Sequence, residues 1–112
     1  MDQVNSTIEM NELRNENDML LVYFSDNTCS VCRDIIPKID KMIDNYPGIK
    51  AIKVDMQKLL KLSASYGVFS SPVVMLYIQG KETIREAGII SLISLEEKIS
   101  RYYELFYEGK WI

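Results

Sequence analysis

The chain has 112 residues, 13 Lys+Arg against 16 Asp+Glu, and a formal net charge of −3. That length supports one domain spanning 1–112, and 47% hydrophobic with 26% charged residues is the composition of a globular core. The sequence contains no histidine, which excludes Ser-His-Asp triads, Cys-His nucleophile pairs and histidine-ligated metal sites. The acidic balance, without any Lys/Arg cluster, argues against a nucleic-acid surface.

Along the chain, Ser6-Thr7-Ile8-Glu9 has capping-box spacing and opens a short helix ending near Asn15. Residues 19–24 form an apolar run between polar turns, the pattern of a strand covered on both faces. From Ser30 the period becomes helical: Cys32, Ile35, Ile36, Ile39, Met42, Ile43 and Tyr46 make one apolar face, with Pro37 inside the helix and Tyr46-Pro47-Gly48 closing it. Residues 49–55 read as a second strand and 57–66 as a helix closed by Gly67. A third strand over 73–78, a turn at Gln79-Gly80-Lys81 and a fourth strand over 82–87 make a hairpin. The final helix runs from about Leu95 to Tyr107, with Leu95, Ile99, Tyr102 and Phe106 on one face. The aromatic C-terminus, Tyr102, Tyr103, Phe106, Tyr107 and Trp111, reads as helix core plus a frayed tail; Tyr103 and Tyr107 fall off the stripe, which leaves a partner surface there as the alternative.

Both cysteines of the chain lie in Cys29-Ser30-Val31-Cys32, where the first strand hands over to the amphipathic helix of a βαβ unit. Cys29 falls at the helix N-cap and is expected to be exposed, whereas Cys32 belongs to the apolar stripe and is expected to be buried. Free N–H groups and the helix dipole favour a thiolate at Cys29, making it the nucleophile. Cys32 is placed to attack the mixed disulfide that Cys29 forms and to release the reduced product. Inert thiols or a passive disulfide are the alternative. Zinc is disfavoured, because one Cys pair supplies two ligands of four. The N-terminus shows no secretory leader, and the longest apolar run is too short to span a bilayer, so a cytoplasmic protein without membrane contact is expected.

The Cys-x-x-Cys after a strand, Pro37 beyond it, Lys53 on the next strand, Tyr66-Gly67, Ser71-Pro72 opening the following strand and Gly88 closing the hairpin together resemble the thioredoxin family. The resemblance runs from about Met19 to the last helix. It implies an α/β fold with a central mixed sheet of four or five strands flanked by helices on both faces. It further implies that Pro72 is cis and packs against the cysteine pair, and that Ser71 and Pro72 dock the substrate strand. Thr28 stands where the family usually has tryptophan, Ser30-Val31 stand for Gly-Pro, and Tyr23 takes the place of a buried acid proposed to accept a proton from the second cysteine. A phenol is a poor base near neutrality, so resolution by Cys32 is expected to be slow, with Asp26 in the loop as another candidate acceptor. Tyr23, Asp26 and Lys53 are thus the candidate modulators.

These features imply a monomeric thiol-disulfide oxidoreductase that reduces protein disulfides and is recharged by an upstream dithiol reductase. It would need no cofactor or metal beyond the reversible Cys29–Cys32 disulfide. A partner-binding or redox-sensing module on the same fold, without appreciable turnover, is the alternative.

Overall fold

In a computed structural model that describes residues 1–107, five strands and four helices follow one another along the chain. They are β1 (Asp2–Gln3), α1 (Thr7–Glu16), β2 (Met19–Ser25), α2 (Ser30–Ile43), β3 (Ile49–Asp55), α3 (Leu60–Ser65), β4 (Val73–Ile78), β5 (Lys81–Ala87) and α4 (Leu92–Tyr107). The strands form one mixed sheet in the order β1-β3-β2-β4-β5. β3 runs parallel to β1 and β2, whereas β4 is antiparallel to β2 and β5.

Strand alternation divides the interior into two layers. Met19, Leu21 and Tyr23 of β2 and Val74, Leu76 and Ile78 of β4 face Cys32, Ile35 and Ile39 of α2 and Leu95 and Ile99 of α4. Leu20, Val22 and Phe24, with Val73, Met75 and Tyr77, face Met10 of α1 and Leu62 of α3. Six consecutive residues of β2 are therefore buried, which is why its sequence is uniformly apolar and not alternating. Each fully buried Ile or Leu of these layers contributes about 1.5–3 kcal/mol through removal from water.

Local chemistry explains most element boundaries. Ser6 caps α1 by accepting the Glu9 N–H at 3.1 Å, as its spacing predicts. The β4–β5 hairpin turns through Gln79 and Gly80, both with positive φ (50° and 79°), the geometry of a tight two-residue turn.

Several expectations are corrected. The helix expected over 57–66 is shorter, Leu60–Ser65, because Asp55 accepts the N–H groups of Gln57 and Lys58 and holds a separate turn before it. α2 ends at Ile43, before Tyr46, and α4 begins at Leu92, ahead of Leu95. Strand β1 carries no apolar pattern; it is made by pairing Asp2 and Gln3 with Ile52 and Lys53. The hydroxyls of Tyr103 and Tyr107 donate to the carbonyls of Pro47 and Gly48 at 2.5 and 3.2 Å, tying α4 to the α2–β3 turn, while the Tyr107 ring stays exposed. Trp111 lies outside the described residues.

Candidate active site

The carboxyl end of β2 and the amino end of α2 meet in the loop 26–29, and the loop before β4 lies against it. Asp26 organises the first loop. Its Oδ1 accepts from the Thr28 N–H at 2.9 Å and the Thr28 hydroxyl at 2.7 Å, and its backbone carbonyl accepts the Cys29 N–H at 3.3 Å. This is an Asx-type turn, written in the sequence as Asp26-Asn27-Thr28. It delivers Cys29 to the N-cap of α2, with extended backbone (φ −85°, ψ 103°), and the Cys29 Sγ accepts the Cys32 N–H at 3.2 Å.

Cys29 and Cys32 form a disulfide with Cα atoms 5.3 Å apart. Their surroundings differ: Cys32 is 2% exposed within the α2 face of the core, while Cys29 is half-buried and only partly packed against that core. The exposed Cys29 expected from the sequence is therefore half-covered, because the capping loop folds alongside it.

The second loop contributes Ser71 and Pro72. The Ser71–Pro72 peptide bond is cis, Pro72 is buried, and its carbonyl accepts the Gly88 N–H at 3.0 Å. Ser71 Oγ donates to Asp26 Oδ2 at 3.3 Å, which brings the two loops together. Asp26 is thus not the free, solvated carboxylate that its place in a turn suggests. The Thr28 hydroxyl and N–H, helped by Ser71, hold it below the usual carboxylate range, against a smaller opposing effect of burial.

Behind the disulfide lies a cleft of about 330 Å³ that reaches Cys32. Arg33, Lys53, Asp55 and Lys58 line it together with Asp26 and Ile36. Sequence reasoning named Lys53 and Asp26 but missed Arg33, Asp55 and Lys58. The signal was the strand period, which turns Lys53 towards the α2 layer alongside Ile49 and Ala51.

Tyr23 lies opposite Lys53 on β3 and Val74 on β4. Its side chain is fully buried in the cluster that contains Cys32, and its hydroxyl has no hydrogen-bond partner among the described residues. Burial pushes the phenol up to about 12, so it stays protonated at any physiological pH.

The family model described as Thioredoxin matches residues 3–101. The chain belongs to the thioredoxin family. It is 29% identical to the thioredoxin-like protein YdfQ of Bacillus subtilis (strain 168) over 110 residues, which are 98% of this chain and 97% of that protein. It is 32% identical to thioredoxin H2 of Arabidopsis thaliana over 94 residues, 84% of this chain and 70% of the relative. Fasciola hepatica thioredoxin superposes with a TM-score of 0.83 at 29% identity, covering 90% of this chain and 98% of that one. Fold and family agree with the Cys-x-x-Cys at the head of α2, and the protein is a thiol-disulfide oxidoreductase of thioredoxin type.

Among the described residues no group of His, Cys, Asp and Glu is arranged to hold a metal ion, and no helix is long and apolar enough to cross a membrane.

Proposed function

We propose that this protein reduces protein disulfides in the cytoplasm, with Cys29 as the attacking thiol and Cys32 as the resolving one. The observation that carries this reading is the asymmetry of the pair: Cys29 is half-open at the amino end of α2, while Cys32 is 2% exposed. With the pair reduced, the α2 N-terminus favours a thiolate on Cys29. That thiolate attacks one sulfur of a substrate disulfide, the substrate S–S bond breaks, and the departing sulfur leaves as a thiolate. Cys32 then loses its proton and attacks the Cys29 sulfur. The mixed disulfide breaks, the second substrate thiolate leaves, and the Cys29–Cys32 disulfide closes. Substrate has gained two electrons and takes up two protons, and the protein has lost two electrons, which an upstream dithiol reductase restores.

Ser71 and Pro72 dock the substrate strand, a reading supported by the hydrogen bond that joins Ser71 to Asp26 in the Cys29 loop. For the Cys32 proton, Tyr23 is unsuited because it already holds its own, and Asp26 is a weak base because its charged form is stabilised by Thr28 and Ser71. Water entering the polar cleft, which Asp55 also lines, is a further acceptor, with Lys53 supplying a positive charge in the same cleft. Two cysteines in the whole sequence, both in one redox-type pair, support a reducing compartment. The chain acts as one domain, 1–112, and as a monomer.

The test is dithiol-driven reduction of insulin, followed by precipitation of the free B chain. Sustained turnover lost in Cys29→Ser is the expected result. Tight binding of a partner without turnover would instead favour a binding or sensing module.

A further inference from the structure

We infer that Tyr23 is a redox-conditional hydrogen-bond donor that serves the sulfur of Cys32 only when the disulfide is open. The inference rests on the roles proposed above for the cysteine pair. A buried phenol normally finds a partner for its hydroxyl. The Tyr23 hydroxyl has none among the described residues while Cys32 is bonded to Cys29.

Placement selects the missing acceptor. Met19, Leu21 and Tyr23 are the buried residues of β2 that face α2, and Tyr23 is the last of them, followed on that face by the half-buried Ser25 before the loop 26–29. Cys32 is the first buried residue of α2 after that turn. The two therefore face one core layer from the same end of the sheet, in a single packed cluster. The other buried members of that cluster are hydrocarbon or thioether side chains, so Cys32 alone offers an acceptor that changes with redox state. Closed in a disulfide, its sulfur is a weak acceptor. A neutral thiol sulfur is little better, but once the opened Cys32 ionises its thiolate is a far stronger one.

The phenol keeps its proton through the whole neutral range, so it stabilises the Cys32 thiolate as a donor and never competes as a base. The charged groups lining the cleft that reaches Cys32, Asp26, Arg33, Lys53, Asp55 and Lys58, act on that sulfur whether or not position 23 carries a hydroxyl. Tyr23 is accordingly a positioning residue that biases the pair towards its reduced form.

The test is Tyr23→Phe, which keeps the ring and removes only the hydroxyl. The reduction equilibrium is measured against dithiothreitol from pH 7 to pH 9.5, beside thermal melts of the oxidised and reduced forms across the same range. The expected result is an equilibrium constant for reduction that falls increasingly below the parent's as Cys32 ionises, by up to about tenfold at the alkaline end, equivalent to about 30 mV. The oxidised form should melt at or above the parent's temperature and the reduced form below it. A constant within twofold of the parent across that whole range, or equal shifts of both melts, would overturn the inference, since ring packing alone acts on both forms alike. A parent protein without insulin turnover would count against the oxidoreductase roles, whereas parent turnover with an unchanged Tyr23→Phe equilibrium counts against this inference alone.

Discussion

Asp26 and Ser71, 45 residues apart in sequence, are joined by a hydrogen bond from Ser71 Oγ to Asp26 Oδ2 at 3.3 Å. Through it the loop that presents Cys29 and the loop that ends in the cis peptide before Pro72 are held as one unit. Asp26→Ala is expected to loosen that unit and raise KM for a disulfide peptide about threefold to tenfold, the effect of one or two lost hydrogen bonds, with little change in kcat. A large fall in kcat at unchanged KM would assign Asp26 to proton transfer instead.

The same carboxylate predicts a pH dependence of stability. Thr28 and Ser71 hold it below the ordinary value of 3.8, so the unfolded chain binds this proton more readily than the native one. Its contribution is therefore complete above about pH 4–5 and is lost as pH falls through the lower native value. Asp26→Asn should lower the neutral-pH urea midpoint and flatten the decline below pH 4, so that parent and variant converge in acid. An unaltered acid limb would show that Asp26 is not linked to folding.

The asymmetry of the cysteine pair predicts its reactivity. In the reduced protein, iodoacetamide at pH 7 should label Cys29 at least about tenfold faster than Cys32, because thiolate character and access both favour the helix terminus. Cys32→Ser should trap substrates as stable mixed disulfides, and Cys29→Ser should trap few. Peptide mapping that finds Cys32 the faster site would reverse the two roles.

Lys53 shares the cleft with Cys32. Lys53→Met should slow resolution of a preformed mixed disulfide by about twofold to fivefold at low ionic strength, as expected for one partly screened charge. The difference should shrink in 1 M salt. Stopped-flow rates that are equal in both proteins at low salt would remove Lys53 from the reaction.

Gly48 links the fold to its last helix. It adopts φ +102°, and a Cβ added there would lie 2.8 Å from the Tyr107 hydroxyl oxygen. Gly48→Ala should cost at least about 1–2 kcal/mol for the backbone conformation alone, and more for the clash. In a Tyr107→Leu background the penalty should be smaller by the clash component, which a double-mutant cycle in urea would read directly.

The sequence alone determined the strands at 49–55 and 73–78, the α1 cap at Ser6 and the strand-to-helix position of Cys29 and Cys32. These depend on short-range physics: hydrophobic period, a side-chain oxygen three residues from an N–H, and turn residues with their backbone preferences. Tertiary structure decided what local pattern does not encode. Asp2 and Gln3 form a strand only because β3 offers an open edge, and Tyr103 and Tyr107 are occupied only because the Pro47–Gly48 turn comes beneath α4. Asp26 reads as a solvated loop acid until Ser71 arrives from 45 residues away. Tyr23 reads as a core aromatic until the layer closes around it and leaves its hydroxyl without a partner. Each of these outcomes depends on groups distant in sequence meeting at short range, where burial and hydrogen bonding, and not periodicity, set the chemistry.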